Sequence, residues 1–396
     1  RATDLGFSYP NPGGDQEEVY QSSPNSGGWY VSSAQHYPNG VASNLVVPGL
    51  TAAVTYGLDG EGRPNLVDGA TTLVGAAAYS PLGMTSMTLG SGDGDSYGYD
   101  SGTGRMTQYQ FQVNGATDTG ALTWNANGSL GELVITDNIP GTGDTQTCNY
   151  THDDLGRIAS AACTGGDNWS QAFSYDALGN VLKSGTQSFQ PNYGINNRIS
   201  TNIGFAPNYD NDGDLLGDPV LAQQDVNAFD AEGRAVKLEG IGVTYDALGR
   251  AVEAAEPGGA IEFLYGPGGG KLAVMNGQTL LTAYIPLPGG GTAVYHGAAL
   301  AYYRHADWLG SSRLASTPGR ALYSATAYAP YGEPHEEAGT IDRNFTGQNQ
   351  DIVGGQYDFL MREYNPIQGR WWTPDPAGLA AVDPNNPQSW NRYAYV

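Results

Sequence analysis

A short unit recurs along this chain and constrains its fold more than any other feature. It reads aromatic, Asp, two small or aliphatic residues, Gly, Arg or Asn, then two aliphatic residues. The clearest copies are Tyr175-Asp176-Ala177-Leu178-Gly179-Asn180-Val181-Leu182 and Tyr245-Asp246-Ala247-Leu248-Gly249-Arg250-Ala251-Val252. Phe229-Asp230-Ala231-Glu232-Gly233-Arg234-Ala235-Val236 carries Phe in the first place. Looser copies begin at Tyr99 and Tyr209, and Tyr56, Tyr79, Trp124, Tyr150 and Tyr265 open further ones. The leading aromatics fall roughly 16 to 26 residues apart, a repeat period that dictates architecture before any single motif does. Each unit is a strand ending in an aromatic, a turn, and a β-branched or aliphatic return strand. In the turn, Asp accepts from backbone N–H groups and Gly supplies the positive φ that other residues resist. A lone hairpin is not stable in water, so successive hairpins must pair edge to edge. The predicted class is all-β, with repeated β-hairpins in a continuous curved or spiralling sheet.

Composition agrees. Charged residues are only 14% of the 396, while Gly (58) and Tyr (26) are abundant, which favours strands and tight turns over helices. The net charge of -23 repels phosphate backbones, so nucleic acid is excluded as a partner. No apolar run reaches the roughly 18 residues of a membrane-spanning helix, and no membrane insertion is expected. The chain opens on Arg1 without a basic-then-apolar leader, so any signal peptide has gone, or this is part of a longer polypeptide.

The two cysteines test the hairpin reading. The turn Asp154-Leu155-Gly156-Arg157 is centred on the same point as the pair Cys148 and Cys163. The two sulfurs therefore face each other across an antiparallel pair, and a disulfide is predicted. A disulfide implies export, to the extracellular space or a cell surface.

The C-terminal stretch has a different character. Asn344-Phe345-Thr346-Gly347-Gln348 is followed by Tyr357-Asp358-Phe359-Leu360-Met361-Arg362-Glu363-Tyr364-Asn365-Pro366. Next come Gly369-Arg370-Trp371-Trp372-Thr373-Pro374-Asp375-Pro376-Ala377-Gly378-Leu379 and finally Asn391-Arg392-Tyr393-Ala394-Tyr395-Val396. Upstream lie His305-Ala306-Asp307-Trp308-Leu309-Gly310-Ser311-Ser312-Arg313 and Tyr328-Ala329-Pro330-Tyr331-Gly332-Glu333. The order and spacing resemble the core that closes Rhs, or YD-repeat, proteins, and the recurring Tyr-Asp-x-x-Gly unit is similar to their repeat. Insecticidal toxin-complex components and teneurins are relatives. The resemblance implies a hollow shell or barrel-like wall closed by a C-terminal core. The core signature falls on His305, Asp307, Gly310, Arg313, Gly347, Arg362, Tyr364, Gly369, Arg370, Trp372, Asp375 and Gly378. The implied organisation is an irregular lead-in or linker over 1–27, the hairpin sheet over 28–300 and the core over 301–396.

The resemblance also offers one reaction. Many Rhs proteins cut themselves downstream of the core with carboxylates at Asp-Pro-x-Gly motifs, releasing a toxin inside the shell. Asp375 matches the first such Asp. A second Asp-Pro-x-Gly belongs beyond Val396, and Asp383-Pro384-Asn385-Asn386 does not supply it. Asp375 and Arg362 are therefore read as buried, paired polar groups, with no catalytic residue assigned. His305 and Asp307, two apart on a strand, share a face. They are either a catalytic pair or a hydrogen-bonded anchor, and the anchor is preferred.

Other chemistry is weaker. Asp210-Asn211-Asp212-Gly213-Asp214 resembles the start of a calcium loop but lacks its sixth-position Gly and twelfth-position Glu. Gly266-Pro267-Gly268-Gly269-Gly270-Lys271-Leu272 lacks phosphate-loop spacing and reads as a hairpin turn. The histidines make no metal-ligand spacing, so no metal or cofactor is expected.

The functional expectation is an extracellular structural shell that encloses or displays a cargo polypeptide, or assembles with a second copy or with other parts of a longer precursor. A carbohydrate-binding module using Trp29, Trp124 and Trp169, and the carrier part of a self-cleaving toxin, are the alternatives.

Overall fold

The computed structural model describes residues 3–9, 16–166, 168–194, 196–218, 226–256 and 258–395. Hairpins follow one another without a crossover. A first sheet runs through sixteen antiparallel strands from Asp4–Ser8 to Val181–Gly185, and a second through twelve from Ala228–Phe229 to Pro334–Gly339. Two short ladders lie between them, and a three-stranded sheet (Tyr357–Asp358, Glu363–Asn365, Arg370–Trp371) lies after them. Pairing is sequential in both large sheets, so each strand's neighbours in space are its neighbours in sequence, and neither sheet closes on itself. None of the described helices is long and apolar enough to cross a membrane.

The repeat explains the ladder. In the unit at Asp153, Oδ1 accepts from the N–H groups of Leu155 (3.0 Å) and Arg157 (2.9 Å), while Arg157 Nε donates to Oδ2 at 2.8 Å. The same Arg lies 4.2 Å from the ring of Tyr175, the leading aromatic of the following unit, whose hydroxyl donates back to the Ile158 carbonyl at 2.8 Å. Arg234 with Tyr245 and Arg250 with Tyr265 repeat this arrangement, with the hydroxyls bonded to Ala235 and Ala251. Each repeat thus caps the turn of the one before, through a cation–π contact and a hydrogen bond. In the units at Asp59 and Asp153 the place before the capping Asp is taken by Leu58 and His152, not by Tyr56 or Tyr150.

Burial separates the two sheets. Trp169–Tyr175 and Tyr30–His36 of the first sheet alternate buried and exposed, whereas Ser312–Ser316 of the second is buried throughout. Alternation marks a sheet with one covered face, and continuous burial one covered on both. Tyr109, Phe111 and Leu133 of the first sheet share a core with Leu264, Met275, Ile285 and Leu314 of the second. On the second sheet's other side, Val243, Val252, Phe263 and Val274 pack with Ile352, Val353 and Trp372 of the C-terminal segment. Three layers result: first sheet, second sheet, C-terminal segment.

Three expectations need correction. Within 1–27, expected to be irregular, Asp4–Ser8 and Gln16–Ser22 are the first two strands of the first sheet. Position 300 is no boundary, because it lies inside the strand Ala299–Ala306 of the second sheet. Among the described residues the continuous ladder is also interrupted between Gly185 and Ala228, where only the two short ladders lie. Among the described residues strand pairing closes neither large sheet into a barrel.

Candidate functional site

The predicted core residues gather where the three layers meet. His305 and Asp307 do not act as a pair. His305, fully buried, places Nδ1 2.6 Å from Asp95 Oδ1 on the first sheet and Nε2 2.8 Å from Ser316 Oγ on the neighbouring strand. Asp307 instead caps its own turn, accepting from Leu309 (2.8 Å) and Ser311 (2.9 Å), with Gly310 at φ +81°. A bulge between His305 and Ala306 breaks the alternation that would have put both on one face. Asp95, His305 and Ser316 have the order of a hydrolytic triad, but Ser316 is fully buried between layers and out of reach of substrate. The arrangement is an anchor between sheets.

Arg313 forms a second anchor. Its guanidinium pairs with Asp118 (3.4 Å) and Asp144, all three nearly inaccessible. Burial lifts Asp118 to about 6 even against that cation. Next to it, Ser311 Oγ accepts from Thr346 N at 3.0 Å and Ser312 N donates to Asn344 O at 2.8 Å, so this element holds the turn containing Gly347 (φ +81°).

Within the C-terminal segment, Tyr364 is fully buried and its hydroxyl donates to the Tyr331 carbonyl at 2.8 Å. Arg370 sits between the rings of Tyr193 and Tyr393, and its Nη2 donates to Asn197 O at 2.6 Å. Trp372 is buried against the second sheet, and its carbonyl accepts from Leu215 N at 3.1 Å. Gly369 has φ +63°, and a Cβ there would meet Tyr331 at 3.0 Å and Lys183 at 3.1 Å.

Arg362 and Asp375 are brought together at 3.3 Å, with side chains 17% and 30% exposed, so the pair is half-buried rather than buried. Asp375 also accepts from Ala377 N at 2.9 Å, its carbonyl receives Gly378 N at 3.0 Å, and its own N–H donates to Arg392 O at 2.9 Å. These contacts make Asp375 a corner brace. Cys148 and Cys163 are opposite one another in register and bonded, with Cα atoms 3.9 Å apart. In the repeat turns, Asp176 accepts from Leu178 and Asn180, and Asp246 from Leu248 and Arg250, with Gly179 and Gly249 near φ +80°. Asp210 likewise accepts from Gly213 and Asp214, which gives the acidic turn a purpose without an ion.

Sequence reasoning missed a residue that reaches all three layers. Lys183, fully buried on the last strand of the first sheet, donates to Glu333 Oε1 (2.5 Å) and to the Pro366 carbonyl (2.6 Å) and lies 4.6 Å from the Tyr331 ring. One ammonium thus ties the first sheet, the second sheet and the C-terminal segment. Burial drives it down to about 8 and raises Glu333 above its ordinary value. The only sequence signal was a Lys at an inward place on an alternating strand.

Among the described residues, two sizeable cavities lie between layers. One, about 440 Å³, separates the second sheet from the C-terminal segment and is lined by Tyr245, Phe263, Lys271, Asp358, Glu363 and Trp372 among others. The second, about 310 Å³, lies beside the disulfide and Arg313. Trp29 is exposed, Trp124 meets Trp308 edge-on, and Trp169 is buried beneath His335, so the three form no common platform.

Residues 99–396 match the family described as teneurin YD-shell. No curated protein matches the chain's sequence. Among solved structures, TcdB2-TccC3 superposes on 96% of the chain with a TM-score of 0.75 and 16% identity. TcdB2-TccC3-Cdc42 gives 0.69 at 16% identity, and the Photorhabdus luminescens Tc holotoxin pore 0.68 at 15%, each over 96% of the chain. The chain spans 23%, 22% and 22% of those three chains, respectively. At such identities the likeness establishes the fold alone.

Proposed function

Because the chain belongs to the teneurin YD-shell family, we propose that it is a structural wall segment. In this reading it encloses or displays a cargo polypeptide together with further shell-forming chain, outside the cell. The observation that carries it is the layered build: two open-edged hairpin sheets locked by buried ions, with one face sealed by the docked C-terminal segment. The cavities of about 440 and 310 Å³ have the dimensions of small-molecule sites and not of protein cargo. Enclosure would therefore need more wall than these residues supply. Edges without a partner strand among the described residues, such as that of Asp4–Ser8, offer main-chain groups for its continuation.

Proteolytic self-processing has less support. The Asp375 carboxylate is engaged by Arg362 and Ala377 N rather than by a second carboxyl, and a lone, cation-paired carboxylate is poorly placed to work as acid and base. The scaffold reading is tested by expressing the polypeptide with its flanking gene sequence and applying limited proteolysis alongside electron microscopy. A closed particle whose inner segment resists protease until the shell is opened is expected. A monodisperse particle without a lumen, with flanking segments digested at once, would refute it.

A further inference from the structure

Where the start of the first sheet lies over the second, two acids sit side by side. Glu253 and Glu262 are directly opposite one another on the paired strands Ala251–Glu256 and Gly259–Tyr265, at 2% and 0% exposure. Among the described residues, both take their donors from turns at the layer boundary and neither pairs with a cation. Glu253 accepts from the backbone N–H of Asn25 (2.8 Å) and from its side-chain amide (2.9 Å). Glu262 Oε2 accepts from Gly277 N at 3.0 Å, and its Oε1 has no donor among the described residues. Around the pair the layers also bond directly. Gln278 Nε2 donates to Ser26 O at 2.7 Å, and the Tyr30 hydroxyl donates to Gly277 O at 2.5 Å. The 23–28 turn of the first sheet is thus seated on the second through this acid pair and the 276–278 turn.

Two ionised carboxyls on opposed strand positions repel strongly where water does not reach them. Glu253 uses both oxygens as acceptors, the pattern of a carboxylate. Glu262 keeps one oxygen free to carry a proton. Burial, with the neighbouring charge of Glu253, raises Glu262 to about 7 against the pull of the Gly277 N–H. The other titratable group acting on it is the Tyr30 phenol of the first sheet, which is no cation. The 23–28 and 276–278 turns carry no ionisable side chain. Neighbouring contacts between the layers are neutral: Gln21 donates to Phe263 O (2.5 Å), Ser32 to Tyr265 O (3.4 Å) and Thr3 to Tyr245 O (2.9 Å). The acid pair is therefore the part of this contact that responds to pH near neutrality.

We propose that Glu253 and Glu262 form a proton-operated clasp between the two sheets, holding the 23–28 turn down while Glu262 is protonated and releasing it when the proton leaves. The proposal is independent of the wall-segment reading, because every group in it belongs to this chain. A carboxyl raised in the closed form binds its proton more tightly there than in the open form. Opening therefore grows as pH rises from about 5 to about 7 and levels off above. For a rise from 4.5 to about 7, the open fraction should increase roughly fiftyfold between about pH 5 and about pH 8. The test is hydrogen–deuterium exchange on the intact chain across that range, read as protection factors corrected for intrinsic exchange. A peptide spanning 23–30 reports the clasp, because the Asn25 N–H is bonded to Glu253. A peptide spanning 109–113, from the core shared by the sheets, is the reference. Protection at Asn25 should fall tens of fold while the reference does not follow. Glu262→Gln, which keeps the shape of the protonated acid, should stay protected at the alkaline end and lose the pH dependence. The wild-type profile against the reference decides alone if that variant does not fold. Four results would each overturn the proposal: wild-type protection that does not change with pH, an equal loss in the reference peptide, a pH dependence that survives Glu262→Gln, or alkaline protection restored by added calcium, which would make the pair a cation site.

Discussion

Replacing Lys183 with Met tests whether one buried ammonium joins the three layers. Methionine fills much of the same volume, so the loss is electrostatic rather than a cavity. It leaves Glu333 buried without its cation and the Pro366 carbonyl without its donor. Removing one partner of a buried pair costs on the order of 3–5 kcal/mol. Glu333, already raised by burial, escapes part of that by protonating, so a loss of about 3 kcal/mol is expected in urea unfolding at pH 7. The double variant Lys183→Met with Glu333→Leu should recover at least half, because it removes the orphaned charge as well. The pH dependence carries a definite sign. The ammonium is lowered from 10.5 to about 8 in the folded chain, so between those values the unfolded state binds more protons and stability rises with pH. At about 1.4 kcal/mol per unit, the gap between wild type and Lys183→Met should widen by up to about 3 kcal/mol from pH 8 to pH 10. A loss below about 1 kcal/mol at pH 7 would refute the three-way tie, and a gap flat across that window would refute the lowering of the ammonium by burial.

The disulfide closes a separation of 15 residues, which in the chain-entropy model is worth about 3 kcal/mol. Cys148→Ser with Cys163→Ser should lower the urea midpoint accordingly, and a thiol assay on denatured, unreduced protein should find no free sulfhydryl. For the half-exposed Arg362–Asp375 pair, Asp375→Asn should cost no more than about 1 kcal/mol, read as a Tm shift. If it instead abolished processing of a longer precursor without unfolding it, the bracing role assigned to Asp375 would fail.

The repeat unit carried the ladder because its information is local. Asp and Gly in the turn and an aromatic before it specify a hairpin within eight residues, and sequential pairing follows with no further instruction. The cysteines obeyed the same register, and Cys148 lies opposite Cys163. The lead-in over 1–27 was misread because Asp4–Ser8 and Gln16–Ser22 carry no Asp-x-x-Gly turn, and they become strands through the edge offered by Tyr30–His36. The anchor read at His305 and Asp307 did not need a shared face: a bulge between His305 and Ala306, invisible in residue spacing, turns one inward and leaves the other in the turn.

What the sequence by itself determined is the succession of hairpins and the turn chemistry that links each to the next, since those contacts span a few residues to one repeat. What only the tertiary structure decided is which face of each sheet is covered and by what. Asp95 meets His305, Lys183 meets Glu333 and Pro366, and Lys271 meets Asp351 across 210, 150, 183 and 80 residues. Such partners are chosen by how layers stack, and a charged residue on an inward strand position shows its purpose only when the opposite layer supplies its counter-ion.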